Sequence, residues 1–425
     1  MVAAVVVVVT GALATRVLPQ PLWTLVHVVA LGVLTNGILQ WSWYFARTLL
    51  HLSPRDPRGA RTAEIRVLVF NATLVALFAA MWGGVAWLAA TCAGIIGAVI
   101  GWHGLDLVLA GRGALSSRFA VVIRYYAAGA AFLVLGCSLA GFVAVAVVST
   151  HPADWLVRAR DALTLAHALA NVAGWVGLSV AGTLVTLGPT MLRTRLDPAA
   201  VARARRGLPW MCAGLLLAVV AAGADLPLGV GAGLLVYAVV LAVAVLVPLV
   251  RAGLARGPRS VAPWTLTAGA AWTLCGLAAV IIHAFGAADA TVLRAADLAW
   301  LPLLGGGGLA QIFVAALTYL MPVVIGGGPT VVRRGMAVLE VAWPVRVGIR
   351  NTALVLLALT AEAGAGPRTL WWVLVLACYA VDIVLFAVAG VRQGRARRDA
   401  VRPGGSRRSG APGRLEPASE GTDHG

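Results

Sequence analysis

The feature that most narrows the fold is a series of apolar runs of 18 residues or more, separated by short segments that carry arginine. A run of about that length is what an α-helix needs to cross the hydrocarbon of a bilayer. Backbone N–H and C=O groups find no partner in lipid, so a spanning segment is either a helix or a strand of a closed barrel. The ten-residue alternation of barrel strands is missing from this chain. The sequence therefore predicts an all-α, polytopic membrane bundle.

Breaker residues divide the runs into twelve spans, at about 1–15, 22–45, 67–87, 88–110, 121–148, 162–188, 208–224, 228–250, 263–286, 298–325, 351–364 and 369–391. The third and fourth meet almost without a loop at Gly83 and Gly84. Charge placement tests the count, because arginine in short loops accumulates on the cytoplasmic side. With the N-terminus inside, segments 46–66, 111–124, 189–207, 251–262, 326–350 and the tail hold 28 of the 33 basic residues, all of which are arginine. Both termini are then expected in the cytoplasm, in a cytoplasmic membrane. The net charge of +17 follows from this topology, and no nucleic-acid partner is expected.

The transmembrane domain is read as residues 1–392. Residues 393–425, rich in Arg, Gly, Pro and Ser, are expected to form a disordered basic tail. Within 326–350 the mixture of apolar and basic residues suits an interfacial helix. No convincing tandem repeat stands out. The five cysteines lie singly in apolar runs and read as small packing residues.

Histidine carries the chemical signal. Seven are present, and four fall within spans. His27 and His167 enter from the outer surface and lie roughly 8 Å below it at the helical rise. His283, on a span running the other way, lies about 5 Å below the same surface. Each alone reads as hydrogen-bonded to a neighbouring helix or reaching interfacial water. Their shared layer points to haem or metal ligation, with Asn171 and Gln311 as hydrogen-bond partners. His167, Ala170, Gly174, Gly177 and Ala181 form one small-residue face, and Gly269, Trp272, Gly276, Ala279 and His283 another. Such faces admit a close helix or a flat ligand. The four glycines at 305–308 are expected to clear space at that depth. Arg158, Arg160 and Arg294 read as loop residues, with pairing to haem propionates as the alternative. His103 and Asp106 read as a local interfacial pair or a proton-handling pair.

The blocks "HALANVAGWVGLSVAGTLVTLGPTMLRTRLD", "HVVALGVLTNGILQWSWYFARTLLH" and "GGLAQIFVAALTYLMPVVIGGG" resemble the membrane region of actinobacterial multicopper-oxidase-type proteins. That region is similar to the NnrS haem and copper membrane proteins and, more remotely, to subunit I of haem-copper oxidases. The resemblance spans most of residues 20–390. It implies haem b and copper as cofactors, His27 where haem-copper subunits carry a haem ligand and His167 where they carry a copper ligand. It also implies a separate copper oxidase or electron donor as partner, beside the lipid bilayer. The adjacent histidine pair and HxxxY element of oxygen reductases are absent, as are the HxH and HCHxxxH motifs of cupredoxins. A complete oxygen reductase or multicopper oxidase is therefore not expected. Two rival readings remain: a cofactor-free secondary transporter, and a structural subunit that has lost its cofactor.

Overall fold

A computed structural model of the chain describes residues 19–53, 61–112, 120–257, 259–360 and 365–401. Among the described residues every regular element is helical, and ten helices are long and apolar enough to cross a membrane. They are α1 (Pro21–Leu49), α2 (Arg61–Trp82), α3 (Ala86–Arg112), α4 (Ala120–Val148), α5 (Asp154–Met191), α6 (Pro198–Gly223), α7 (Pro227–Arg256), α8 (Val261–Gly286), then, after the short α9 (Ala290–Pro302), α10 (Leu303–Ile325), and α13 (Ala365–Val401). Between the last two lie α11 (Pro329–Leu339) and α12 (Trp343–Leu359), bent 43° to each other, which make an eleventh crossing if taken together. The expected first span, 1–15, and the tail beyond 401 lie outside the described residues.

Local chemistry sets the helix ends. Gly84, at φ +73°, makes the tight turn between α2 and α3 that the glycine pair suggested. Pro198 opens α6, and the Asp197 carboxylate accepts the Ala199 amide at 2.9 Å. A capping carboxylate also reaches α8 from a distance, since Glu340 accepts the Val261 N–H at 3.0 Å. The carbonyls that close α10 are satisfied from α13: Gln393 Nε2 donates to Pro322 O at 2.7 Å and Arg397 to Ile325 O at 2.7 Å. Gln393 and Arg397 are thus parts of a helix that runs to Val401. The segment 326–350 is likewise no simple loop. It holds α11, packed against α10 and α13, and the first two turns of α12.

Three helices depart from α geometry in the same way. α1 contains a π-helical stretch at Val28–Thr35, α5 one at Ala170–Leu178, and α10 opens on one at Leu303–Leu309. The wider π turn leaves carbonyls free and is frequent at functional sites. A fourth, shorter stretch lies in α7 at Ala242–Leu246.

Two pairs of segments are alike in sequence. "TLVHVVA" at 24–30 on α1 and "TLAHALA" at 164–170 on α5 each lead into a π stretch. "RVLVFNATLVAL" at 66–77 on α2 and "RVGIRNTALVLL" at 346–357 on α12 share Arg, Val, Asn, Leu, Val and Leu in register. The matched positions form matched contacts. Arg66 pairs with Asp106 of α3, and Arg346 with Asp382 of α13. Asn71 exchanges amide hydrogen bonds with Asn36 at 2.9 Å each way, and Asn351 does so with Gln311 at 3.0 and 3.2 Å.

Candidate functional site

His27 is the last α-helical residue before the π stretch of α1, and His167 lies three residues before that of α5. Their rings are 6.2 Å apart between centroids, with planes inclined by only 17°. Trp23 stacks on the outer face of His27 at 4.4 Å. Two of the three histidines expected in one layer are therefore brought together. Each also has a fixed hydrogen-bonding arrangement. His27 Nδ1 lies 2.8 Å from Trp23 O, and His167 Nδ1 lies 2.9 Å from Gly136 O of α4. A carbonyl only accepts, so both Nδ1 atoms carry the proton and both Nε2 atoms keep a lone pair. Metal-binding imidazoles are usually held in this way.

Asn171 stands against His167, its Nδ2 at 3.1 Å from Nδ1 and 3.3 Å from Nε2. With Nδ1–H already donated, Nε2 is the ring atom able to accept from it. Asn171 Oδ1 is buried with no partner among the described residues. The expected closeness of Asn171 to the histidine is seen, and Gly136 makes it feasible, because a Cβ there would fall 2.0 Å from Oδ1.

His283 does not complete a triad. Among the described residues no three His, Cys, Asp or Glu side chains are grouped to hold one metal ion. The face of α8 that carries His283 packs on α10, where a Cβ on Gly276 would meet Leu304 at 3.1 Å. The glycines at 305–308 serve the same close approach: Gly307 lies under Trp272 and Gly308 under Thr273. The space they clear is filled by α8. The small face of α5 is filled too. A Cβ on Gly174 would stand 2.4 Å from Phe132 Cβ, and one on Gly177 2.6 Å from the Tyr237 hydroxyl. Gly174→Ala is expected to cost about 1–3 kcal/mol by overpacking, read as a lower melting temperature of the detergent-solubilised chain.

Gln311 belongs to a different polar centre. Its Nε2 donates to Gly307 O at 2.8 Å, and its Oε1 accepts from Arg350 Nε at 3.2 Å. Arg350 and Arg346 share the Asp382 carboxylate, Arg350 at 2.6 Å. Tyr379, under the Arg350 guanidinium at 4.8 Å, donates to Gly306 O. Arg350, Gln311 and Asp382 are all 2% exposed or less. Sequence reasoning had assigned both arginines to a loop, and Asp382 went unremarked. The available signal was a lone aspartate in the last apolar run and an i, i+4 arginine pair.

A second Arg–Asp centre, between α2 and α3, is simpler. Arg66, 1% exposed, pairs with Asp106 and sits over the rings of Trp43 and Trp102 at 5.6 and 5.4 Å. Asp106 is thus engaged by Arg66, while His103 Nε2 meets Ser42 Oγ at 2.8 Å. The two do not act as the local pair that their spacing suggested. Arg294 is held by Asp161 at 2.5 Å, which engages it without a propionate.

Fold and site define an all-α membrane protein with two buried Arg–Asp centres and a pair of oriented imidazoles. The chain matches no protein-family model, no curated protein and no solved structure.

Proposed function

We propose that this chain is a redox membrane protein whose His27–His167 pair binds a metal centre, with haem b as the first candidate. The observation that carries the reading is the pair itself: two imidazoles with both Nδ1 protons donated to carbonyls and a centroid separation of 6.2 Å. Two ligands suffice for haem iron, whose porphyrin fills the other four positions. For a bare ion they suit two-coordinate Cu(I), the second candidate, and leave most other ions incomplete. Haem would supply one-electron chemistry and a site for a gas such as nitric oxide or oxygen. His27 and His167 would hold it, and Asn171 would move aside from Nε2.

In this reading the protein crosses the cytoplasmic membrane twelve times, keeps both termini inside, and exchanges electrons with a separate copper oxidase or donor. The resemblance to the membrane region of multicopper-oxidase-type and NnrS proteins supports it. A visible spectrum of the purified chain tests it. Dithionite reduction is expected to give a b-type haem band, or metal analysis about one copper per chain. A colourless, metal-free preparation would overturn it.

The buried Arg66, Asp106, Arg346, Arg350 and Asp382 favour a second reading, a cofactor-free secondary carrier, because buried ionisable residues often mark a carrier's pathway. Here, however, Asp382 holds both of its arginines.

A further inference from the structure

An unbroken column of rings leads from the histidine pair to one end of the bundle. Beyond His167 and His27 it continues through Trp23, stacked on His27 at 4.4 Å with planes 24° apart, to Phe78 of α2 at 5.3 Å and on to Trp82 at 5.7 Å. Trp82 closes α2 beside the Gly83–Gly84 turn and is 43% exposed. Helix geometry builds the column: Trp23 and His27 on α1, like Phe78 and Trp82 on α2, are one turn apart on a shared face.

Hydrogen bonds hold the two halves in register. Trp82 Nε1 donates to Thr24 Oγ1 at 3.1 Å, and Thr24, next to Trp23 and 2% exposed, donates in turn to Pro19 O at 3.0 Å. Beside them Gln20 Nε2 donates to Met81 O at 3.3 Å. Two plainer roles account for part of this arrangement. Indoles gather at the headgroup level of a bilayer, which suits Trp82, and aromatic pairs strengthen packing, which suits Phe78. Neither role requires Trp23 to cover a face of His27, nor the rings to run without a gap from a pair of imidazoles to the surface.

Indole is among the side chains most easily oxidised by one electron, and electron transfer weakens steeply with every gap between the groups that carry it. Two indoles bridged by Phe78 therefore make a relay. We infer that Trp23, Phe78 and Trp82 are the path by which one electron passes between the His27–His167 centre and a one-electron carrier at the membrane surface. The use of the path rests on the proposed metal, whereas the relay itself does not. In net terms the carrier loses one electron and the metal gains one, or the reverse. No bond is made or broken, and both indoles end as they began.

A tethered photo-oxidant tests the relay with and without metal. In a full-length Cys275→Ala chain, which lacks the exposed native thiol, Trp87 of α3, 69% exposed, is changed to cysteine and labelled with a ruthenium polypyridyl complex. After flash-quench oxidation of the label, the metal-free chain is expected to show a transient indole radical. In the metal-loaded, reduced chain the reduced band is expected to bleach instead. Trp82→Phe and Trp23→Phe, which keep a ring in place but remove the oxidisable indole, are each expected to slow the bleach by an order of magnitude or more. Trp82→Tyr, whose phenol is also oxidisable, is expected to retain most of the rate, an outcome that a purely structural role does not produce. Trp155→Phe, whose ring meets Phe142 away from the column, should change nothing. A bleach of native speed in folded Trp82→Phe and Trp23→Phe chains would overturn the inference. An indole radical in a chain that binds no metal would sustain the relay and defeat the metal reading. A haem band in a chain whose metal-free form gives no indole radical would do the reverse.

Discussion

His167→Ala and His27→Ala are each expected to abolish the reduced b-type haem band, whereas His283→Ala should retain it. The reason is geometric. His27 and His167 lie side by side, 6.2 Å apart between ring centroids, with their Nδ1 atoms held by the Trp23 and Gly136 carbonyls, so each keeps a lone pair on Nε2. Loss of either would remove one of the two residues that would hold the group, and His283, on α8, is not grouped with them. Gln311→Ala is expected to keep the band as well, since its partners are Arg350 and Asn351. Asn171→Ala, which uncovers His167 Nε2, should leave the metal bound. Reduced-minus-oxidised spectra of the purified variants, with haem quantified per folded chain, distinguish these outcomes. Equal loss in all five variants would point to general unfolding, and a band surviving His27→Ala and His167→Ala together would exclude the pair as ligands.

Asp382→Asn is expected to be the most damaging substitution for the fold. Its carboxylate holds both Arg346 and Arg350, and neither it nor Arg350 is more than 2% exposed. Removing one partner of a buried ion pair costs about 3–5 kcal/mol, because the remaining charge is stranded; here two guanidinium groups lose their shared counter-charge. The expected readout is a large fall in melting temperature and in the yield of monodisperse protein. Replacing the whole triad, with Arg346→Met, Arg350→Met and Asp382→Leu together, is expected to restore much of the loss, since apolar groups of similar volume need no partner. Asp106→Asn should cost less, because a single arginine is stripped and Arg66 keeps its contacts with Trp43 and Trp102. An Asp382→Asn variant that melts with the native chain would show that the triad contributes nothing to stability.

The two centres also show how far a linear reading reaches. Among the arginines counted as loop charge, Arg66, Arg346 and Arg350 are buried inside the bundle. Nothing local distinguishes them: an arginine near the end of an apolar run looks the same whether it reaches for water or for an aspartate on another helix. Asp106 and Asp382 lie 40 and 36 residues from their partners, so only packing tells which applies. Small-residue faces carry a similar ambiguity. Gly174 and Gly177 mark close approach equally well for a porphyrin or for Phe132 and Tyr237, and tertiary packing selects the side chains.

What the chain settles by itself is its solvent and its secondary structure. Long apolar runs in a medium without hydrogen-bonding partners must become helices, and His27 and His167 must lie near one level of the bundle, because rise per residue is fixed. What required the folded molecule is which helices are neighbours. Rotation about each helix axis is determined by contacts between distant segments, and those contacts joined His27 to His167, drew Gln311 into the Arg350–Asp382 centre, and left an unfilled space between α1, α5 and α10.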